Sequence, residues 1–263
     1  MEKPRRLKVI ACEILFRELC YCAAHAQQCV DLTFLPKALH DIGARQMSER
    51  LQQAVDATDL GAYDAILLAY GLCNNGICNL RSPLPLVIPR AHDCITLLLG
   101  SRERYQELFN RYPGTYYQST GWIERAVDSN SQPNSVTVQL GISCDYHAYV
   151  AKYGEENARY LMEMLGDWTK HYSRLVYIDT GFGDFGTYAQ ATQREAEERG
   201  WAYEWVQGNT GLLQRLLDGD WNTQDFLVIP PNTPIEPTYD DRIICCGKIC
   251  RTSPRWVRAP GSS

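Results

Sequence analysis

Apolar residues along the first hundred positions fall in short runs: residues 7–11 (LKVIA), 30–35 (VDLTFL), 64–69 (DAILLA) and 85–89 (PLVIP). Short β-branched and aliphatic runs bounded by turn or charged residues read as buried strands. The stretches between them carry apolar residues at helical spacing. A helix is predicted over 13–28. A second is predicted over 44–57, with Leu51, Ala54 and Val55 on one side. A third is predicted over 101–111 (SRERYQELFNR), with Ser101 as its N-cap. Strands alternating with helical crossovers predict a parallel, doubly wound sheet.

The middle of the chain, 112–146, is less regular. Pro113-Gly114 and Ser119-Thr120-Gly121 are turn signals, and 128–134 (DSNSQPN) is a polar loop. Tyr112, Tyr116, Tyr117 and Trp122 give this part an aromatic character, which suits a pocket wall, a lid or plain packing. The strand–helix rhythm then returns: helix 148–170, strand 174–178, helix 187–199, strand 202–206, helix 210–218 and strand 225–229. The expected fold is α/β, with two Rossmann-like halves, parallel sheets and a cleft at the carboxyl ends of the strands. The halves are residues 1–146, carrying the candidate site, and 147–250, with a loose tail over 251–263.

Composition narrows the function classes. A net charge of −5 gives no basic face for a phosphate backbone, so nucleic acid is not an expected partner. No apolar run approaches the roughly 20 residues that span a bilayer, so neither is a membrane. The first residues do not read as a signal peptide, and the expected compartment is the cytoplasm. Eleven cysteines is an odd number at irregular spacing, which argues for thiols or metal ligands over a disulfide scaffold. Cys20, Cys22 and Cys29 fall in a helical stretch and read as small buried apolar residues.

The chemistry gathers at strand ends. The run 7–11 ends on Cys12-Glu13, 64–69 ends on Tyr70-Gly71-Leu72-Cys73, and 85–89 leads into Arg90-Ala91-His92-Asp93-Cys94. In an open parallel sheet the carboxyl ends of the strands are where sites form. Thiolates and an imidazole suit a soft or borderline metal. Cys73, His92 and Cys94 are therefore candidate ligands for zinc, and Cys12 is a fourth ligand or a reactive thiol. Cys12, Cys73 and Cys94 without the histidine would instead suit an iron–sulfur cluster. Asp93 either orients the imidazole or starts a helix with Cys94 packed inside. Cys78 is an extra candidate ligand.

Glu13 and His40 are candidate acids or bases beside this site, and His40 is alternatively a fourth ligand. A first-turn carboxylate and a turn histidine are the plainer readings. The segment 181–186 (GFGDFG) follows a strand and precedes a helix, which marks Gly181 and Asp184 as candidate cofactor-binding residues. Asp179 and Asp184 would oppose a pyrophosphate and favour an amine. Cys245, Cys246 and Cys250 form a further cluster, read as redox thiols or a separate metal site. No Ser-His-Asp order, Gly-x-Ser-x-Gly elbow or Walker loop stands out.

The motifs ACE at Cys12, LHD at His40, YGLC at Cys73 and RAHDCI at Cys94 resemble the DUF1638 family of bacterial and archaeal proteins. So do LGS at Gly100, PGTYY at Pro113, GWIE at Trp122 and GDW at Trp221. The resemblance runs from about residue 7 to 232 and carries no established activity. Its members are often encoded beside corrinoid methyltransferases, which implies one-carbon or methylamine metabolism. The resulting expectation is a zinc–thiolate protein acting as a methyltransferase on a thiol or small amine. The alternatives are a non-catalytic accessory module that docks to a corrinoid protein or methyltransferase, and an iron–sulfur protein.

Overall fold

The computed structural model describes residues 3–40, 43–73, 75–125, 155, 172–183, 185–238 and 240–247, without the side chains of His40 and Phe185. Strand β1 (Arg6–Cys12) pairs in parallel with β2 (Cys29–Leu35) on one side and β3 (Ala65–Ala69) on the other. Next come β4 (Leu86–Pro89), parallel to β3, and β8 (Phe226–Ile229), antiparallel to β4. The sheet order is β2-β1-β3-β4-β8. Every residue of β3 and β4 is buried, as expected of strands covered on both faces.

A second sheet has the order β5-β6-β7, all parallel, from Thr115–Ser119, Arg174–Asp179 and Ala202–Gln207. Strand β5 lies where the sequence pattern suggested an irregular excursion. Its run Thr-Tyr-Tyr-Gln-Ser favours extended backbone, but flanking turn signals hid it. A hairpin-like pair, β9 (Ile235–Pro237) and β10 (Ile244–Cys246), follows β8.

The helices bury one stripe each. The predicted helix over 13–28 opens as a 3-10 turn, Glu13–Leu15, and continues as α1 (Phe16–His25). Helix α2 (Ala44–Asp56) buries Met47, Leu51 and Val55, four residues apart. Helix α3 (Cys94–Leu99) leads through Gly100 into α4 (Arg102–Arg111), which Ser101 caps by accepting from the Arg104 N–H. After β5 come α5 (Thr120–Glu124), α6 (Phe185–Arg199) and α7 (Gly211–Asp218); α7 buries Leu212, Leu213, Leu216 and Leu217. Among the described residues no helix is long and apolar enough to cross a membrane. The predicted loop over 128–134, the predicted helix over 148–170 apart from Glu155, and the tail over 251–263 lie outside the described residues.

The carboxyl ends of the second sheet meet the elements that follow β1 and β4. Gly121 in α5 packs so closely on Ile14 that any side chain there would overlap the Ile14 carbonyl oxygen. Arg17 binds Glu124 through two nitrogens. The Thr180 hydroxyl donates to Glu18 Oε1 at 2.5 Å, and the Asn209 N–H donates to the Leu98 carbonyl at 2.8 Å.

Candidate functional site

The chain leaves β1 to one side to form β2, then crosses to the other side for β3. That reversal makes the carboxyl ends of β1 and β3 the topological switch point, where ligands bind in open α/β sheets. Cys12 is the last residue of β1, and Tyr70–Cys73 continues β3. The segments following β3 and β4 stay paired beyond the strands: Leu72 N–H donates to Ala91 O (2.7 Å) and Cys73 N–H to His92 O (2.9 Å). Gly71 allows this approach, because a Cβ there would lie 2.6 Å from both Asp93 N and Cα. Cys73 then takes a left-handed backbone, with φ 46°, unusual for a residue with a side chain.

Three thiols gather at these ends. Cys12 is 1% exposed and Cys73 7%. Burial pushes the Cys12 thiol up to about 12, with a backbone hydrogen bond from Ile14 working against it. Burial also raises Cys73, and negative charge at Cys12 and Asp93 raises it further. Cys94 lies well above the ordinary thiol range, first by burial and then by Asp93, Cys73 and Cys12. Negative charge at Cys12 thus makes Cys73 harder to ionise, and charge at Cys12 and Cys73 does the same to Cys94. A bound cation reverses that relation and releases the protons.

His92 and Asp93 take different places. Asp93 Oδ1 accepts from the N–H groups of Ile95 (3.0 Å) and Thr96 (3.4 Å), and Oδ2 accepts from the Tyr105 hydroxyl (3.1 Å). It is the N-cap of α3, so of the two readings the helix start is the one that holds. Because Cys94 is the first helical residue, strand alternation does not carry His92 and Cys94 to one face. His92 is solvent-exposed. Among the described residues no three His, Cys, Asp or Glu side chains stand arranged to hold a metal ion as they are.

Glu13 is committed to structure on one oxygen, accepting from the Lys37 backbone N–H at 2.8 Å. Lys37 belongs to the 3-10 turn Lys37–His40 that follows β2. It is a buried lysine whose Nζ sits 3.7 Å over the Trp122 ring and donates to the Trp122 carbonyl at 3.4 Å. Pattern reading missed it, since one lysine after a strand carries no signal. The aromatic Trp122 and the neighbouring Glu13 were the only hints. His40 ends the same turn, but its side chain lies outside the described residues.

The model of the family described as "Protein of unknown function (DUF1638)" matches residues 34–217. The chain belongs to the DUF1638 family. No curated protein and no solved structure matches it. The DUF1638 match takes in Lys37, Cys73, His92 and Cys94, while Cys12 and Glu13 precede it.

Elsewhere in this DUF1638 protein, the glycine segment after β6 is already occupied. Asp179 Oδ1 accepts from the Gly181 N–H at 2.9 Å, and Asp179 Oδ2 accepts from Trp205 Nε1 at 3.2 Å. Helix α1 lies against the loop, with the Tyr21 and Phe182 rings 4.8 Å apart and tilted by 41°. A Cβ at Gly183 would meet Thr120 at 2.6 Å. A phosphate at the Gly181 N–H would have to displace a carboxylate. Asp184 lies outside the described residues.

The remaining cysteines are scattered. Cys22 is buried as expected, but Cys20 and Cys29 are exposed, because the α1 face and the edge strand that carry them turn toward solvent. Cys78 is buried in the loop after β3. Cys245 and Cys246 belong to β10, and Cys250 lies outside the described residues.

Proposed function

We propose that this DUF1638 protein is a metal–thiolate protein in which Cys12, Cys73 and Cys94 hold zinc at the carboxyl edge of the first sheet. The observation that carries this reading is the convergence of three thiols, Cys12 and Cys73 buried and Cys94 half-buried, from the ends of three adjacent strands on the switch point. The donor set fits: thiolates are the ligands zinc takes, and three protein ligands leave one position open. Cys12 enters the ligand set and exposed His92 moves to the rim. The two sheets form Rossmann-like halves about a cleft at the strand ends, into which a thiol or small amine enters.

Zinc, when bound, supplies a lowered pKa for a thiol at the open position, which suits methyl transfer. The chain's own residues supply the rest. Gly71 and the paired segments fix Cys73 against Asp93, Tyr105 and α3 orient Asp93, and buried Tyr70 walls the site beside Cys12 and Cys73. In one-carbon metabolism the partner would be a corrinoid protein or its methyltransferase. We place the chain in the cytoplasm, where thiols stay reduced.

The all-sulfur set also favours a second reading, an iron–sulfur cluster on the same three cysteines. Elemental analysis and a visible spectrum of anaerobically purified protein separate the two. About one zinc per chain, lost in Cys94→Ser, supports the first reading. Iron with sulfide and a brown colour supports the second. No metal in protein prepared without chelators removes both.

A further inference from the structure

We propose that Glu18 is a proton-operated latch between the two sheets: as a neutral acid it holds helix α1 against the end of β6, and on ionising it lets that seam open. The latch lies apart from the three thiols and does not depend on a metal.

Glu18 sits where two parts of the fold are pressed together. Helix α1 carries the chain from β1 to β2 of the first sheet, and Thr180 is the residue after β6 of the second. The Thr180 methyl is held in place, since a Cβ at Gly208 would lie 2.6 Å from it. The Thr180 hydroxyl then donates to Glu18 Oε1. Glu18 is 1% exposed, and among the described residues no donor reaches its buried Oε2. A carboxylate there would leave charge on an oxygen with neither water nor donor, and buried groups of this kind take up a proton instead. The cation nearest in sequence is spent elsewhere: Arg17 is bound through two nitrogens to Glu124 of α5, which also accepts from the Tyr188 hydroxyl of α6. Asp179 accepts from Gly181 and Trp205, and Asp218 of α7 accepts from the Gln27 N–H beyond the far end of α1. The thiols of Cys20 and Cys22, on α1 itself, are the other titratable groups that feel Glu18. Burial raises the Glu18 pKa, with Thr180 and Arg17 opposing and Glu124 adding to the rise. The remaining contacts of α1 across this seam, Arg17 with Glu124 and Tyr21 with Phe182, use exposed side chains of the helix, and exposed ion pairs hold weakly.

The test is amide hydrogen exchange read by mass spectrometry on the full chain, for wild type, Glu18→Gln, Glu18→Met and Thr180→Val, from about pH 4.5 to about pH 8.5. Glutamine and methionine cannot ionise there, so either is the neutral reference should the other fail to fold. After correction for the intrinsic pH dependence of exchange, wild type and the neutral variants should follow one trend near pH 4.5, the ordinary value of the carboxyl. Above it, opening of α1 and of 174–183 in wild type should outrun the neutral variants by up to about tenfold per pH unit, and level off once the folded pKa is passed. These segments should exchange faster than buried β3, which marks a local opening. Thr180→Val removes the bond that opposes protonation, so its rise should continue to higher pH than in wild type. A wild-type profile parallel to the neutral variants at every pH overturns the latch. Exchange in α1 and 174–183 no faster than in β3 shows the seam opening only with the whole fold, and overturns it too. A rise in Thr180→Val that ends at the same pH as in wild type overturns the part given to Thr180.

Discussion

Replacing Gly71 with alanine tests how the two ligand segments are held together. The added methyl would sit 2.6 Å from Asp93 N and Cα, and 2.9 Å from its carbonyl carbon. All three are backbone atoms, so no side-chain rotation relieves the overlap. The segments must separate, which strains the bonds from Leu72 N–H to Ala91 O and from Cys73 N–H to His92 O. Overpacking of this kind costs about 1–3 kcal/mol, and each weakened buried hydrogen bond about 1 kcal/mol. Gly71 is not in the left-handed region, so alanine gains back about 0.4–1 kcal/mol through the unfolded chain. The net expectation is a destabilisation of about 3 kcal/mol. Urea unfolding followed by far-UV circular dichroism measures it, and Ellman's reagent under native conditions should find Cys73 and Cys94 more reactive than in wild type. A Gly71→Ala protein within about 0.5 kcal/mol of wild type, with unchanged thiol reactivity, would refute the close-approach reasoning.

Gly186→Ala is the matching control, since a Cβ there meets nothing within 4 Å and the residue lies in α6. It should stabilise the protein by about 0.5 kcal/mol in the same urea titration. A pH effect should follow Glu18, which is 1% exposed; its Oε1 accepts from Thr180, and its buried Oε2 has no hydrogen-bond partner. Burial raises its pKa, with the Thr180 hydrogen bond and the Arg17 charge opposing and Glu124 adding to the rise. The folded state thus holds this proton more tightly than the unfolded one, so the Glu18 contribution is full below the unfolded value near 4.5. It declines as pH rises through the higher folded value. Thermal unfolding of Glu18→Gln between pH 5 and 8 should therefore gain on wild type as pH rises, and parallel curves would count against it. Arg90→Met removes donors from the carbonyls of Thr223 (3.0 Å), Arg242 (2.8 Å) and Ile244 (2.6 Å). It should cost about 3 kcal/mol and expose the β9–β10 segment to limited proteolysis, and an unchanged digestion pattern would contradict this.

Much of the fold was legible because its strands are fully buried runs and its helices carry a clean stripe. Strands β1, β3 and β4 were found within a residue or two, and Ser101 was correctly read as a cap. Sequence could not supply pairing. The run at 226–229 reads like another strand of the second half, yet it returns to β4 and runs antiparallel there. Strand β5 was missed because Tyr116 and Tyr117 read equally well as a pocket wall. At the site, the three cysteines were visible as strand-end residues. Their convergence depended on β1, β3 and β4 being neighbours, which sequence could only assume. The orientation of His92 was not legible, because it turns on Asp93 capping α3 and ending the alternation one residue early. Lys37 was invisible for a similar reason: its burial is created by Trp122, 85 residues away in the chain.

X-ray absorption at the edge of the bound metal tests the central claim most directly, because it counts the ligand atoms. Zinc-loaded wild type should show three sulfur scatterers at about 2.3 Å with one lighter atom, and Cys12→Ser should lose one sulfur. Two sulfurs and an imidazole nitrogen at about 2.0–2.1 Å, unaffected by Cys12→Ser and lost in His92→Ala, would contradict the three-thiolate centre.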